Sequence, residues 1–139
     1  MTSQGAGAPL PAAQMIEAEQ ACLLFGNTRI EAFDSNHEQL TGIRNGDKAG
    51  YKYINFDAGV DSFYVRVAPG VNAGSLQIAL DQPWHNSIGT ITIPASSGDK
   101  KWITLSCKVK PTTGIHAVWL RFEGEGDNLF NVDGFWFSK

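Results

Sequence analysis

Apolar residues alternate with polar ones over short stretches of this chain. In Ser62-Phe63-Tyr64-Val65-Arg66-Val67 the residues Phe63, Val65 and Val67 fall on one side, and in Ser75-Leu76-Gln77-Ile78-Ala79-Leu80 the set is Leu76, Ile78 and Leu80. Val118, Leu120 and Phe122 share a face of the run from His116 to Phe122, and the run from Ile88 to Ile93 is rich in β-branched residues. No window carries apolar residues at helical spacing over ten or more positions. Turn formers separate the runs: Gly26-Asn27, Asn45-Gly46-Asp47, Ala58-Gly59, Pro69-Gly70, Asn72-Ala73-Gly74, Ser97-Gly98-Asp99, Thr113-Gly114 and the stretch from Glu123 to Asn128. This spacing suits antiparallel strands. Roughly eight to ten of them from Met15 onward predict an all-β fold, a two-sheet antiparallel sandwich in which each inner face is covered by the other sheet.

Composition narrows the reading. With 139 residues, 42% of them hydrophobic, the chain has material for one core and one domain. Residues 1–14 are small, Gly/Ala/Pro-rich and nearly uncharged, so they read as a linker or tail ahead of a domain at 15–139. A formal net charge of -3 argues against a nucleic-acid footprint and makes anionic polymers unexpected partners. No apolar run reaches the roughly 20 residues of a membrane helix, and the N-terminus lacks the blocks of a signal peptide. A soluble chain that meets neither membrane nor nucleic acid is expected. Cys22 and Cys107 match no zinc pattern; a disulfide and two free thiols both remain open.

Chemistry enters at the two ends. Ile16-Glu17-Ala18-Glu19 and Leu129-Phe130-Asn131-Val132-Asp133-Gly134-Phe135-Trp136-Phe137 each set acidic side chains beside large apolar ones in strand-length segments. If the first and last strands lie side by side, Glu17, Glu19 and Asp133 converge, and three carboxylates sharing a site call for a compensating cation, with calcium the best match. The competing reading is that Glu17 and Glu19, two apart on a strand, share a solvated face. Paired carboxylates also serve glycoside hydrolysis, but catalytic pairs project from separate strands into a groove, whereas Glu17 and Glu19 are neighbours on one. His37, His85 and His116 accompany no nucleophile signature, and His116 beside an apolar strand reads as structural. No catalysis is expected.

The ordered series Ile16-Glu17-Ala18-Glu19, Asn45-Gly46-Asp47, Ser62-Phe63-Tyr64-Val65-Arg66-Val67-Ala68, Leu80-Asp81, Gly89-Thr90-Ile91-Thr92-Ile93-Pro94, Trp102, Thr113-Gly114-Ile115-His116 and Leu129-Phe130-Asn131-Val132-Asp133 resembles the family 6 carbohydrate-binding modules over residues 15–138. The resemblance implies a jelly-roll sandwich that binds polysaccharide, carries a structural calcium and is tethered to a secreted glycoside hydrolase. It implies an extracellular, monomeric module aimed at plant or algal polysaccharide of the xylan, arabinoxylan or β-glucan class. It also implies that Glu17, Glu19 and Asp133 hold the calcium, with carbonyls from the loop before Leu40 completing the shell.

Such modules grip sugars with aromatic rings stacked on pyranose faces, helped by a few hydroxyl-binding groups. The family's end-loop cleft uses two rings, and alignment puts Gly42 and Asp99 at those positions, while the cleft's Asn is retained as Asn131. Its second cleft, on a sheet face, uses a ring directly after the Asn45-Gly46-Asp47 turn. Here that residue is Lys48, with Gln77 as polar companion. Other residues therefore become candidates. Trp84 and His85, in a proline-held loop between strands, either touch a ligand or partner domain or fold back as a loop anchor. Glu31, Phe33, Asn36 and His37 would lie near Asn131 and could line a rebuilt cleft. Trp102 reads as core, Trp136 as outward-facing, and Tyr51 and Tyr53 as half-buried. Leu40-Thr41-Gly42-Ile43-Arg44-Asn45-Gly46-Asp47 and the stretch from Glu123 to Asn131 are similar to modules attached to family 43 arabinofuranosidases, where the end-loop aromatics are also reduced. That points to an alternative role, a structural module packing on a catalytic domain with weak or no sugar binding of its own.

Overall fold

A computed structural model describes residues 10–32, 38–57, 59–96, 101–126 and 129–139, with the side chain of Glu19 outside the description. Its strands are β1 (Leu10–Pro11), β2 (Ile16–Glu17), β3 (Leu23–Phe25), β4 (Arg29–Ala32), β5 (Glu38–Thr41), β6 (Lys48–Asn55), β7 (Val60–Pro69), β8 (Gly74–Leu80), β9 (Gly89–Ile93), β10 (Ile103–Thr112), β11 (Ile115–Gly124) and β12 (Phe130–Ser138). One sheet runs β1-β6-β11-β8-β9, with β3 also on β6; the other runs β10-β7-β12-β5-β4, with β2 also on β12. All pairings are antiparallel except β1 with β6. This is the two-sheet sandwich that the alternation predicts, in the jelly-roll form that the resemblance implies.

The core is the pair of inner faces. Phe63, Val65 and Val67 of β7, Leu76 and Ile78 of β8, and Val118, Leu120 and Phe122 of β11 are all fully buried, as their period-two spacing requires. Rings pack within and across the sheets: Tyr51 meets Phe135 of the opposite sheet edge-on at 4.9 Å, and Phe137 meets Phe56 at 4.9 Å and its own sheet partner Phe63 at 5.2 Å. Edge-to-face contacts of this kind add to the free energy of burying each ring.

Several expectations change. The segment Ile16-Glu17-Ala18-Glu19 is a strand only as far as Glu17; a 3-10 turn over Ala18–Gln20 follows, closed by a capping box between Glu17 and Gln20, whose Oε1 accepts the Glu17 N–H at 2.7 Å. Glu17 and Glu19 therefore do not stand two apart on one strand. The expected linker reaches into the fold: Leu10 and Pro11 pair with Ile54 and Asn55, Ala12 donates to Asn55 O at 3.0 Å, and its carbonyl accepts from Phe137 at 2.9 Å. The small side chain of Ala12 allows it to be buried there.

Trp102 is not core. It lies half-exposed, just before β10, with the Arg66 guanidinium 5.4 Å from its ring centroid. Tyr51 and Tyr53 split, Tyr51 entering the core while Tyr53 is exposed. Trp136 faces outward and stacks on Tyr64 at 5.4 Å. His116 is structural, its Nδ1 on the Asp81 carboxylate at 3.0 Å and its Nε2 on Thr113 O at 2.8 Å. Both cysteines are free; Cys22 is exposed, and burial pushes the Cys107 thiol pKa up.

Candidate functional site

The outer face of the first sheet carries a row of side chains set by strand register. Phe25 of β3 pairs with Lys48 of β6, Lys48 with Arg121 of β11, Arg121 with Gln77 of β8, and Gln77 with Thr90 of β9. Each residue sits on the outward side because its sequence neighbours, such as Leu120 and Phe122 beside Arg121, are committed to the core. Over this row lies a groove of about 380 Å³ lined by Gly46, Lys48, Gln77, Pro83, Trp84, Arg121 and Glu123, among others. Trp84 stands at the groove with 73% of its surface exposed.

Arg121 holds the Trp84 loop in place. Its Nη1 donates to Pro83 O at 3.1 Å and to His85 O at 2.7 Å, and the His85 Nδ1–H donates to Leu80 O at 2.9 Å. Two carbonyls flanking the indole are thereby tied to the sheet. Opposite, Glu123 Oε1 accepts from Ser75 Oγ at 3.3 Å and from Gln77 Nε2 at 3.4 Å, fixing a carboxylate and an amide side by side. The turn before Lys48 is rigid as well: Asp47 Oδ2 accepts from Asn27 N, Thr28 Oγ1 and Arg44 N at 2.8–3.1 Å.

Beside the row, Trp119 lies flat over Gly50, where a Cβ would come within 2.7 Å of the indole. Phe25 stacks on it, with centroids 5.7 Å apart and planes 7° from parallel. Trp119 is thus outward-facing yet only 4% exposed, while Phe25 keeps 46% of its surface in solvent. Sequence reasoning missed Phe25, Arg121 and Glu123. The outward phase of Arg121 and Glu123 on the β11 alternation was a usable signal; for Phe25, on a three-residue edge strand, there was none.

The second cleft, about 250 Å³ at an end of the sandwich, brings Glu31 and Asn131 together with Arg29 and Thr41. Thr41 Oγ1 donates to Asn131 Oδ1 at 2.9 Å, and Arg29 pairs with Glu31. Gly42 has φ +70°, and a Cβ there would fall 2.3 Å from Arg29 Nη1. The guanidinium fills the space next to a position where the resemblance expects a ring. His37, Phe33, Asn36 and Asp99 lie outside the described residues. The expected sugar-contact residues therefore divide between two surfaces, Trp84 and His85 on one and Glu31 and Asn131 on the other.

Of the proposed metal ligands, Glu17 lies on β2 and Asp133 on β12, while Glu19 belongs to the 3-10 turn after β2. These strands pair with Glu17 opposite Gly134, next to Asp133. A bulge between Val132 and Gly134 makes Asp133 the extra residue and re-aims its carboxylate. Its Oδ2 accepts from Arg66 Nε at 2.9 Å, while Oδ1 is buried and has no hydrogen-bond partner among the described residues. An orphaned buried carboxylate oxygen, in a donor set of oxygen alone, suits a hard cation such as calcium. Among the described residues no group of three or more potential ligands gathers, and the Glu19 side chain and residues 33–37 are not described.

Known proteins resemble this chain in sequence and fold. The family model for carbohydrate binding module (family 6) matches residues 17–139. An arabinoxylan arabinofuranohydrolase of Paenibacillus polymyxa is 31% identical over 129 residues, 88% of this chain and 20% of the relative, so the chain spans about a fifth of that protein's length. A family 6 module from Clostridium stercorarium, solved with cellobiose, superposes with a TM-score of 0.87 at 30% identity, covering 96% of this chain and 99% of the other. One from Clostridium cellulolyticum, solved with xylose, gives 0.84 at 33% identity over 93% of this chain and 99% of that one.

Proposed function

The chain belongs to family 6 of the carbohydrate-binding modules and is non-catalytic, and we propose that it grips a pyranose chain of the xylan, arabinoxylan or β-glucan class on the outer face of its first sheet. The observation that carries this reading is Trp84, a large ring left 73% exposed beside a groove with hydrogen-bonding groups. The indole offers its π face to the C–H bonds of one sugar face. Gln77 and Glu123 offer a donor amide and an acceptor carboxylate to hydroxyls, and Phe25 extends the apolar surface along the row. The end cleft is the weaker candidate, because Arg29 fills the space beside Gly42 and the one ring that lines the cleft among the described residues, Phe130, is buried.

The test is affinity electrophoresis through gels containing soluble xylan, arabinoxylan, laminarin or lichenan. The chain should be retarded by at least one glycan, Trp84→Ala should abolish that retardation, and Asn131→Ala should leave it. Loss of binding in Asn131→Ala alone would move the site to the end cleft.

In this reading the module works as a secreted monomer that targets an adjoining glycoside hydrolase. A structural calcium would be held by Glu17, Glu19 and Asp133, where its charge would neutralise converging carboxylates and tie β2 to β12. A second role, packing against that catalytic domain, is favoured by the outer face of the second sheet, where the Tyr64 and Trp136 stack and the Arg66 and Trp102 pair remain half-exposed. If no glycan retards the chain, this second role stands in place of the first.

A further inference from the structure

The groove beneath Trp84 is electrostatically unbalanced, and we propose that it selects a glycan bearing an anionic substituent, a uronate carboxylate or a sulfate ester, with Lys48 as the countercharge. The proposal rests on the reading of this face as the sugar site and names the class of sugar it takes.

Two cations, Lys48 and Arg121, stand on adjacent strands at paired positions and line the groove. Neither makes an ion pair among the described residues. Lys48 Nζ donates only to Gly46 O at 3.2 Å, and Arg121 spends Nη1 on the carbonyls of Pro83 and His85. One carboxylate, Glu123, lines the same groove, and its Oε1 is turned toward Ser75 and Gln77 on the β8 side. The Asp47 carboxylate, next in sequence to Lys48, is buried, accepts from Asn27, Thr28 and Arg44, and is not among the groove's lining residues.

The local charge is therefore positive on a molecule whose net charge is -3. A groove can carry a field opposite in sign to the whole surface, because charges beyond a Debye length are screened while those lining the groove are not. The division of labour follows from reach. Arg121 is fixed as a strut under the loop, while Lys48 swings on a flexible stem and can meet a substituent projecting from a ring stacked on Trp84.

The experiment measures affinity of the whole chain, by calorimetry at low and at high salt, for methylglucuronoxylan, for the same polymer after its carboxyl groups are reduced to alcohols, and for a sulfated xylan. The carboxylated or the sulfated polymer should bind about three- to fivefold more tightly than the reduced one at low salt, as expected for an exposed charge pair. The advantage should shrink at high salt, and an advantage confined to one anion identifies which substituent is read. Lys48→Gln should bring the anionic polymers to the affinity of the neutral one while leaving the neutral one within twofold.

Equal affinity for charged and reduced polymers, or an equal loss for both in Lys48→Gln, would overturn the proposal even with Trp84→Ala still abolishing all binding. If Trp84→Ala changes nothing, the sugar-site reading fails first, and the anion preference at this groove falls with it.

Discussion

At the scale of single residues, the groove depends on one ring and the side chain that holds it. Arg121 donates to the carbonyls on both sides of Trp84, so it acts as a positioning residue whose effect on sugar binding passes through the loop. Arg121→Met keeps the aliphatic stem but removes the donors. We expect its affinity for a bound glycan to fall by about three- to tenfold, because a loosened platform must be reordered on binding. The same variant should quench differently with acrylamide as Trp84 gains mobility, a readout that a simple loss of sheet stability would not produce; unchanged affinity would remove Arg121 from the site. Asn131 shows the opposite situation. Its identity matches the family, yet its Oδ1 accepts from Thr41 and Arg29 stands in the neighbouring space, so in the proposed reading the amide alone does not carry the site.

At the scale of elements, edge strands and turns make the site. β3 is three residues long and pairs with β6, and it delivers Phe25 onto Trp119. Gly50 is the seat of that stack: only a residue without a Cβ lets the indole lie against the β6 backbone. Gly50→Ala should therefore lift Trp119, costing about 1–3 kcal/mol of stability as overpacking and raising the exposure of its indole. Denaturant melts and the tryptophan emission maximum read the two effects, and an unshifted melt with unshifted emission would show that the stack has room to move. β2 teaches a related lesson. Its strand stops after Glu17 because the Gln20 side chain captures the Glu17 N–H and starts a turn, a local hydrogen bond that the alternating pattern does not encode.

At the scale of the whole molecule, the first described segment meets the last strand. Ala12 bonds both β6 and β12, and β2 lies on β12, so the N-terminal segment is stitched to the last strand and to the opposite sheet. A calcium at Glu17, Glu19 and Asp133 would fasten the same seam, and it would stabilise the folded chain by mass action. Heating with excess calcium against heating with a chelator should show a melting temperature lower by several degrees in the chelator, and Asp133→Ala should abolish the difference. Equal melting temperatures in the unaltered chain would refute the metal. What the sequence determined by itself is the sandwich and its core: the side of a strand on which Phe63, Val65, Leu120 or Phe122 lies follows from a local period of two, and burial of one side then drives two sheets together. The side-by-side ends were a condition of the calcium reading and not a product of that period, and Trp84 stood out as a ring in a proline-held loop, with exposure and a folded-back anchor both open. Only the tertiary structure decided that Phe25, Lys48, Arg121 and Gln77 form one row, that Trp102 leaves the core for Arg66, and that Arg29 takes the space beside Gly42 in the end cleft. Those outcomes depend on which strands pair and in what register, a choice made by contacts between residues far apart in the chain, and no local pattern of hydrophobic and polar positions contains it.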